Sequence, residues 1–155
     1  MSARLDYTAA SPAGIKALGQ VYGHIMQSGL DAGLLDLVYL RVSQINGCAY
    51  CIDMHTADLA RRGVSAGKIA LLAVWREAGA LFSTEERAAL GWAESVTRVA
   101  DSGVPDADFA AANAVFGARE LTDLTIAIGL MNAYNRLGIA FRAVPGAVAA
   151  LARAA

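Results

Sequence analysis

The sequence predicts an all-α protein that folds as a single domain and associates with further copies of itself. Apolar residues recur at helical spacing along nearly the whole chain, and no strand-like alternation competes with that pattern. Alanine, the strongest helix former, is abundant. The 155 residues suffice for one core, and their 56% hydrophobic content and mean hydropathy of +0.42 indicate apolar surface that is buried between subunits.

Turn and capping signals divide the first half of the chain into four helices. Ser11 precedes a proline, which suits the first position of a helix. Asp31 and Ser65 belong to the residue types that cap helix starts, and the turn glycines Gly47 and Gly63 favour helix ends. The predicted helices run from Pro12 to about Ser28, from the Asp31 cap to about Ile45, from about Cys48 to Arg62, and from the Ser65 cap to the residues before Gly79.

The second half of the chain carries signals of the same kind. In the string STEERAAL, Ser83 and Glu86 have the spacing of a capping box, which predicts a helix from Thr84 to about Ala100. A shorter helix is predicted after Pro105, and a long apolar helix follows it. These two span Asp106 to Val115 and about Arg119 to Leu137, and the tail after Pro145 is either a last helix or a frayed end.

The second predicted helix is apolar nearly all round, because only Asp36 and Arg41 are charged between Ala32 and Ile45. A helix without a polar face is usually buried, so both charges need partners. Buried carboxylates are either paired structurally or tuned for catalysis, and both interpretations of Asp36 stay open at this point.

Charge and composition exclude several classes of function. Thirteen lysines and arginines against fourteen acidic residues give a net charge of −1, without the basic cluster that a nucleic-acid surface needs. The longest apolar runs, such as Ile69 to Trp75, fall far short of the roughly 20 residues of a membrane span. The first residues show no signal-peptide core, so we expect a cytoplasmic protein, in which two close thiols are catalytic or metal-binding more often than structural.

The stretch GCAYCIDMHTADLARRG, residues 47–63, holds both cysteines of the chain and one of its two histidines. On a helix Cys48 and Cys51 are neighbours roughly 5–6 Å apart, a separation that permits a reversible disulfide. A helix start also favours the thiolate form of a cysteine. His55 shares the face of both cysteines and can accept a thiol proton. The spacing therefore favours a redox dithiol.

Two other interpretations of this stretch remain open. Cys48, Cys51 and His55 could bind zinc, although a structural zinc site normally takes four protein ligands, so His24 or Asp53 would have to supply the fourth. The two cysteines could also be ordinary buried residues near a turn.

The residues around the cysteines resemble a known family. The string LLDLVYLRVSQINGCAYCIDMHTADLARRG is similar to the core of the alkylhydroperoxidase D-like (AhpD-like) group of the carboxymuconolactone decarboxylase superfamily. The similarity continues through FSTEERAALGWAESVT and ELTDLTIAIGLMNAYNRLGIAF, and so covers about residues 30–142. It implies one AhpD-like helical domain over residues 1–155 that assembles as a trimer or a hexamer.

The resemblance also implies an activity and a set of roles. In the peroxidase branch of the family, the second cysteine is oxidised by a hydroperoxide and the first closes the disulfide, which an external dithiol donor reopens. Carried onto this chain, Cys51 attacks, Cys48 resolves, and His55 relays protons with Asp36, which occupies the position of the family's glutamate. No cofactor and no metal are expected.

The chain departs from the peroxidase pattern at two positions. Asp36 is one methylene shorter than the family's glutamate, and Tyr50 lies between the cysteines where the peroxidase has a histidine. The superfamily also contains a decarboxylase branch that acts on a muconolactone without a cysteine pair. That chemistry needs a cationic or protonated group to hold the substrate's carboxylate, for which Arg41, Arg136 and His55 are the candidates.

The remaining polar and aromatic residues have structural interpretations. We expect His24 to be a core or interface residue. Tyr39 and Tyr50 could line a pocket, but we expect them to pack near the helix starts with their hydroxyls bonded. The polar groups on the last long helix, Asn132, Asn135 and Arg136, are expected to satisfy buried backbone or subunit contacts. Core or interface positions are predicted for Trp75, Trp92 and Met131.

Overall fold

The computed structural model describes residues 2–154, and the side chains of residues 2–152. These residues form ten α-helices and two short 3₁₀ helices, with no strand in the described range. The α-helices are α1 (Tyr7–Ala10), α2 (Pro12–Met26), α3 (Ala32–Asn46), α4 (Ala49–Arg61), α5 (Ala66–Leu71), α6 (Thr84–Thr97), α7 (Val99–Ser102), α8 (Asp106–Asn113), α9 (Ala118–Ala140) and α10 (Gly146–Ala154). The 3₁₀ helices are Leu72–Val74 and Gly79–Leu81. The all-α prediction is confirmed.

Helix α3 lies at the centre of the fold and packs against α4, α6 and α9. One hydrophobic cluster joins α3 to α2, α6 and α9, and includes Tyr39, Trp92 and Met131. A second cluster lies on the other side of α3, against α4 and the segment after α5, and includes Trp75. The core positions predicted for the two tryptophans and the methionine are therefore confirmed, and so is the burial of α3 on nearly all sides.

Most of the capping predictions are confirmed. Asp31 Oδ1 accepts a hydrogen bond from the Leu34 N–H at 2.8 Å, and Ser83 and Glu86 form both halves of a capping box. Ser65 caps α5 through its side chain, which accepts a hydrogen bond from the Lys68 N–H. Ser11 is the cap residue of α2, directly before the proline at the first position, but its side chain makes no capping hydrogen bond.

The fourth predicted helix is shorter than expected. Helix α5 ends at Leu71, and the chain continues as a 3₁₀ turn and an irregular segment instead of a helix up to Gly79. This path brings Trp75 and Arg76 to the buried carboxylate of Glu94 on α6, with Trp75 Nε1 donating to Glu94 Oε1 at 3.0 Å. Pairing with a distant acid therefore outweighs the local helix propensity.

Three further helix boundaries differ from the prediction. Helix α6 ends at Thr97, and a separate short helix, α7, follows Arg98. Helix α9 runs on to Ala140, three residues beyond its expected end. The short helix α1 was not predicted, and it begins where the Asp6 carboxylate accepts hydrogen bonds from the Thr8 and Ala9 N–H groups. The tail after Pro145 is helical as α10.

The two charges of α3 have the partners that the sequence demands. Arg41 Nε donates to Glu94 Oε1 at 2.7 Å, and Asp36 Oδ2 accepts from Arg62 Nε at 2.6 Å. Glu94 thereby receives hydrogen bonds from Arg41, Trp75 and Arg76. Among the helices of residues 2–154, none has the length and apolar character needed to cross a membrane.

Candidate active site

The cysteine pair lies at the start of α4, directly after a tight turn. Gly47 adopts a left-handed conformation with φ of 71°, which glycine tolerates at no steric cost, and this turn ends α3. Cys48 is the cap residue of α4, and its Sγ accepts a hydrogen bond from the Cys51 N–H at 3.4 Å. Cys48 and Cys51 are joined as a disulfide, with their Cα atoms 5.4 Å apart. The helical spacing therefore permits the bridge expected from the sequence.

His55 follows one turn later on α4 and faces two carboxylates. Its Nδ1 lies 3.6 Å from Asp36 Oδ1 and 3.6 Å from Asp58 Oδ2. Hydrogen bonds between nitrogen and oxygen are usually 2.7–3.2 Å long, so both contacts are electrostatic and not direct hydrogen bonds. Both ring nitrogens are buried and have no hydrogen-bond partner among the described residues. The imidazole is thus free to exchange protons with groups that approach it.

Asp36 reaches this site from α3 and is held by Arg62. Burial alone would raise the pKa of the Asp36 carboxyl, but His55 and Arg62 outweigh it, and the pKa lies below its ordinary value of 3.8. Asp36 is therefore ionised at neutral pH. Asp58 is the more open of the two acids, and its second oxygen is paired with Arg61.

A cavity of about 340 Å³ opens onto Cys51 and His55 between α1, α2, α4 and α9. We call it the tyrosine cavity, because four tyrosines line it together with two methionines. These residues are Tyr7, Tyr22, Tyr50, Tyr134, Met54 and Met131. The ring of Tyr39 lies 5.3 Å from that of His55, so every tyrosine of the chain is at this site. The volume and the mixed apolar and polar lining suit a small organic molecule.

A second cavity of about 340 Å³ borders Cys48, and we call it the Cys48 groove. It runs between the start of α4, the end of α9 and α10, and Tyr50 is the one residue that lines both cavities. Cys48 lines the groove but not the tyrosine cavity, and Cys51 lines the tyrosine cavity but not the groove.

Gly138 on α9 leaves room for the disulfide. A Cβ atom at this position would lie 3.1 Å from Cys48 Sγ and 3.7 Å from Cys51 Sγ. The smaller distance is tighter than ordinary van der Waals contact, so any side chain here would press on the sulfur of Cys48. The glycine in the string NAYNRLG thus allows close approach of α9 to the cysteine pair.

The structure brings the four predicted site residues together. Cys48, Cys51 and His55 share one face of α4, and Asp36 meets His55 from α3. Sequence reasoning missed Asp58, although its position three residues after His55 on a helix predicts a neighbouring side chain. It also missed Arg62, which holds Asp36. Arg62 follows the end of α4, and no motif in the sequence marks it.

The other candidate residues lie elsewhere. His24 is not a core residue: its side chain is 55% exposed, and its Nε2 lies 3.0 Å from Asp123 Oδ1. It is exposed because α2 turns this position away from the cluster in which Ile25 is buried. Asp53 accepts the Ala147 N–H at 3.2 Å, at the start of α10. Neither residue is placed to complete a zinc site with the two bridged cysteines.

Of the polar residues of α9, Asn135 has the buried structural role expected of it, whereas Arg136 is exposed. Asn135 is fully buried, donates to Ser43 Oγ and accepts from Asn46 Nδ2. Arg136 bonds the carbonyl of Asn132 on its own helix and does not line the tyrosine cavity.

One group of described residues brings three potential metal ligands together. Asp36, His55 and Asp58 have ligand atoms within 4.8 Å of one another. The second oxygen of each carboxylate is already paired with an arginine, Arg62 or Arg61. The arrangement is therefore that of a charge-balanced cluster around a histidine.

The fold and the site define an all-helical protein with a cysteine pair at a helix start, a histidine one turn further along that helix and a carboxylate on the preceding helix. The chain belongs to the carboxymuconolactone decarboxylase family, whose sequence model matches residues 12–95, more than half of its length. Its similarity to a solved structure of the AhpD type makes it an AhpD-like member of that family. The resemblance inferred from the sequence is confirmed.

Two relatives have no assigned function. The chain is 35% identical over 140 residues to the uncharacterized protein YdfG of Bacillus subtilis, covering 90% of this chain and 95% of YdfG. It is 39% identical over 114 residues to the uncharacterized protein YnjA of Escherichia coli, covering 74% of this chain and 62% of YnjA.

Three solved structures share the fold. A protein of unknown function from Agrobacterium tumefaciens, ATU0492, provisionally assigned as the antioxidant defence protein AhpD, superposes with a TM-score of 0.88 at 39% identity, covering 93% of this chain and 98% of that one. An uncharacterized peroxidase-related protein from Silicibacter sp. TM1040 gives 0.74 at 24% identity, over 85% and 70% of the two chains. The alkylhydroperoxidase AhpD core of an uncharacterized peroxidase-related protein from Ralstonia eutropha JMP134 gives 0.77 at 23% identity, over 90% and 74%. The last two bear on the fold alone.

Proposed function

We propose that the protein is a thiol peroxidase that reduces hydroperoxides through Cys48 and Cys51. One arrangement carries the proposal: a cavity of molecular size opens onto Cys51 and His55, and Cys48 is close enough to bridge Cys51. A cysteine that faces a substrate site beside a base, with a second cysteine within bonding reach, suits a cycle of oxidation and disulfide closure. Family membership supports the same chemistry.

In the proposed cycle, the Cys51 thiolate attacks the distal oxygen of the hydroperoxide. A sulfur–oxygen bond forms as the oxygen–oxygen bond breaks, and the leaving oxygen takes a proton to become an alcohol or water. Cys51 is then a sulfenic acid. The Cys48 thiolate attacks Cys51 Sγ and expels hydroxide, which leaves as water. The peroxide has accepted two electrons, and the cysteines are left in the bridged state.

His55 and the two carboxylates would move the protons of this cycle. The imidazole lines the tyrosine cavity with Cys51, so it can take the thiol proton and return it to the leaving oxygen. The ionised Asp36 and the side chain of Asp58 face its Nδ1 side and stabilise the protonated ring. An external dithiol would then reopen the disulfide. Assembly as a trimer or a hexamer in the cytoplasm belongs to the same proposal.

Mass spectrometry of the two thiols tests the proposal directly. Reduced wild-type protein, treated with a stoichiometric amount of cumene hydroperoxide, should form the 48–51 disulfide. The Cys48→Ser variant should instead trap a sulfenic acid on Cys51, detected as its dimedone adduct, and Cys51→Ser should give no adduct at Cys48. A wild type without the disulfide, together with a Cys48→Ser variant without the adduct, would disprove peroxidase activity.

Two rival functions make different predictions. A cysteine-independent lactone decarboxylase would keep full activity when both cysteines become serine. Neither Arg41, which is bound to Glu94, nor Arg136 lines the tyrosine cavity, so only His55 remains there to hold a substrate carboxylate. A metal-binding module would retain stoichiometric metal when the protein is purified under reducing conditions, and a purely structural module would retain none. Neither module would react with the peroxide.

A further inference from the structure

Two separate cavities border the disulfide, one at each cysteine. The tyrosine cavity is lined by Cys51, and the Cys48 groove is lined by Cys48. We propose that the electron-donating dithiol binds in the Cys48 groove and attacks Cys48 Sγ, so that peroxide and reductant react at different cysteines of one disulfide. This inference rests on the proposed function and adds to it the site and the chemistry of the second half-reaction.

The position of Cys48 Sγ supports attack from the groove. Gly138 lines the groove, and a Cβ built on it would lie 3.1 Å from Cys48 Sγ but 3.7 Å from Cys51 Sγ. Gly138 therefore packs closely beside the disulfide, somewhat nearer to Cys48 Sγ than to Cys51 Sγ. Thiol–disulfide exchange depends on which sulfur the attacking thiolate can reach. A thiolate in the groove reaches Cys48 first, because Cys48 lines the groove and Cys51 does not.

The lining of the groove indicates the chemistry of the donor. Its walls are apolar, with Ile139, Val144, Pro145 and Val148 among them, and Arg142 is the charged residue at its edge. Arg142 is exposed and has no ion pair among the described residues. The groove thus suits a mainly apolar dithiol that carries a negative charge.

The exchange balances as two steps. A donor thiolate forms a bond to Cys48 Sγ, the 48–51 bond breaks, and Cys51 leaves with the electron pair as a thiolate. The second donor thiolate then attacks the donor sulfur of the mixed disulfide and expels Cys48. The donor becomes a disulfide, and both cysteines are reduced. The first step returns Cys51 to its reactive form at the tyrosine cavity, next to His55.

Mapping of the mixed disulfide tests which sulfur is attacked. Oxidised wild-type protein is mixed with mercaptoacetate, an anionic monothiol, and quenched early with N-ethylmaleimide. Peptide mass spectrometry should find mercaptoacetate on Cys48 and the maleimide on Cys51. Mercaptoacetate on Cys51 with the maleimide on Cys48 would overturn the inference, and so would a disulfide that no thiol reduces in the native protein.

Two variants test the groove itself. Val148→Trp, which fills the groove, should slow reduction at least about fivefold and change oxidation of Cys51 by cumene hydroperoxide less than about twofold, because access limits exchange. Val99→Trp, at an exposed position that lines neither cavity, is the matched control. Equal reduction rates in the two variants would place the donor elsewhere.

Arg142→Gln tests the charge. The ratio of reduction rates with mercaptoacetate and with cysteamine, its cationic counterpart, should fall about threefold relative to the wild type, as for an exposed ion pair. An unchanged ratio would remove the anionic requirement. These reactions start from the oxidised protein and need no peroxide, so they can fail while peroxide oxidation succeeds, and they can succeed while it fails.

Discussion

Arg62 Nε donates a hydrogen bond to Asp36 Oδ2 across 2.6 Å, while the other oxygen of Asp36 faces His55 Nδ1. Arg62 directly follows α4, the helix that carries His55. Asp36 on α3 therefore contacts two residues of the neighbouring helix segment, Arg62 through one oxygen and His55 through the other. The arginine orients Asp36, but the short side chain leaves its oxygen 3.6 Å from the imidazole nitrogen.

A longer acid at this position should make the proton relay more efficient. Asp36→Glu adds the methylene that can close the gap from 3.6 Å to hydrogen-bond distance. One net hydrogen bond is worth about 1 kcal/mol, so oxidation of Cys51 by cumene hydroperoxide should be about fivefold faster at neutral pH. Stopped-flow tryptophan fluorescence would measure the rate. A rate equal to that of Asp36→Asn, the matched variant without a charge, would contradict the prediction.

Asp36 and Asp58 should each partly compensate for the loss of the other, and a double-mutant cycle would measure this compensation. Asp36 and Asp58 face the same Nδ1 of His55 at the same distance, so removal of one leaves the other in place. Asp36→Asn and Asp58→Asn should each slow Cys51 oxidation by a few-fold. The double variant should be slower than the product of the two effects by about tenfold, a coupling of about 1.4 kcal/mol. Strictly multiplicative effects would mean that the two acids act independently and do not substitute for one another.

Replacement of Gly138 by alanine should be unfavourable for stability, whereas replacement of Gly129 on the same helix should be favourable. A Cβ at Gly129 meets nothing within 4 Å, so Gly129→Ala should stabilise the protein by about 0.5–1 kcal/mol through helix propensity. Gly138→Ala brings the same gain but places a methyl group 3.1 Å from Cys48 Sγ. Urea unfolding of the oxidised protein should show less stabilisation, or a loss, and thiol reduction should be slower. Equal stabilisation by both variants would show that the sulfur has room to move.

Glu94 should make the stability of the fold sensitive to acid. Burial alone would raise the pKa of its carboxyl, but Arg76, Trp75 and Arg41 outweigh it, and the pKa lies below its ordinary value of 4.5. A carboxyl with a depressed pKa stabilises the folded state above the ordinary value and ceases to do so as the pH falls through the depressed one.

Glu94→Gln removes that contribution and leaves Arg41, whose side chain is largely buried, without its ionised partner. The variant should be less stable by about 3 kcal/mol at neutral pH, the lower end for breaking a buried ion pair. Urea unfolding at several pH values should show the difference shrinking as the pH falls below the ordinary value of 4.5 and through the depressed pKa of Glu94, where the wild type becomes protonated. A difference that is constant with pH would assign the loss to packing.

The local part of the site follows from the sequence, because helical spacing fixes where Cys48, Cys51 and His55 lie relative to one another. Asp36 could be named only because it interrupts an apolar helix and occupies the position of the family's acid. Asp58 carries the right spacing, but a residue at that spacing can equally well point to solvent. Its part in the cluster depends on how α3 packs against α4, and the local sequence does not determine that packing.

The interrupted helix after Leu71 shows why some of the fold was beyond prediction. Local propensity favours continuation of the helix, yet Trp75 and Arg76 bond an acid 19 and 18 residues further along the chain. Pairings of that kind arise from tertiary packing and outweigh propensities of a few tenths of a kcal/mol per residue, on the order given by host–guest scales. The same reasoning applies to the tyrosine cavity, which exists only where α1, α2, α4 and α9 meet.

The gathering of all five tyrosines at one site gives the protein a built-in optical probe. Elsewhere in a typical chain, tyrosines are scattered and their spectra average over unrelated surroundings. Here the near-ultraviolet signal of every phenol originates beside Cys51 or His55. Ligand occupancy and the opening or closing of the disulfide can therefore be followed in the unlabelled protein, by tyrosine difference absorbance, without any engineered chromophore.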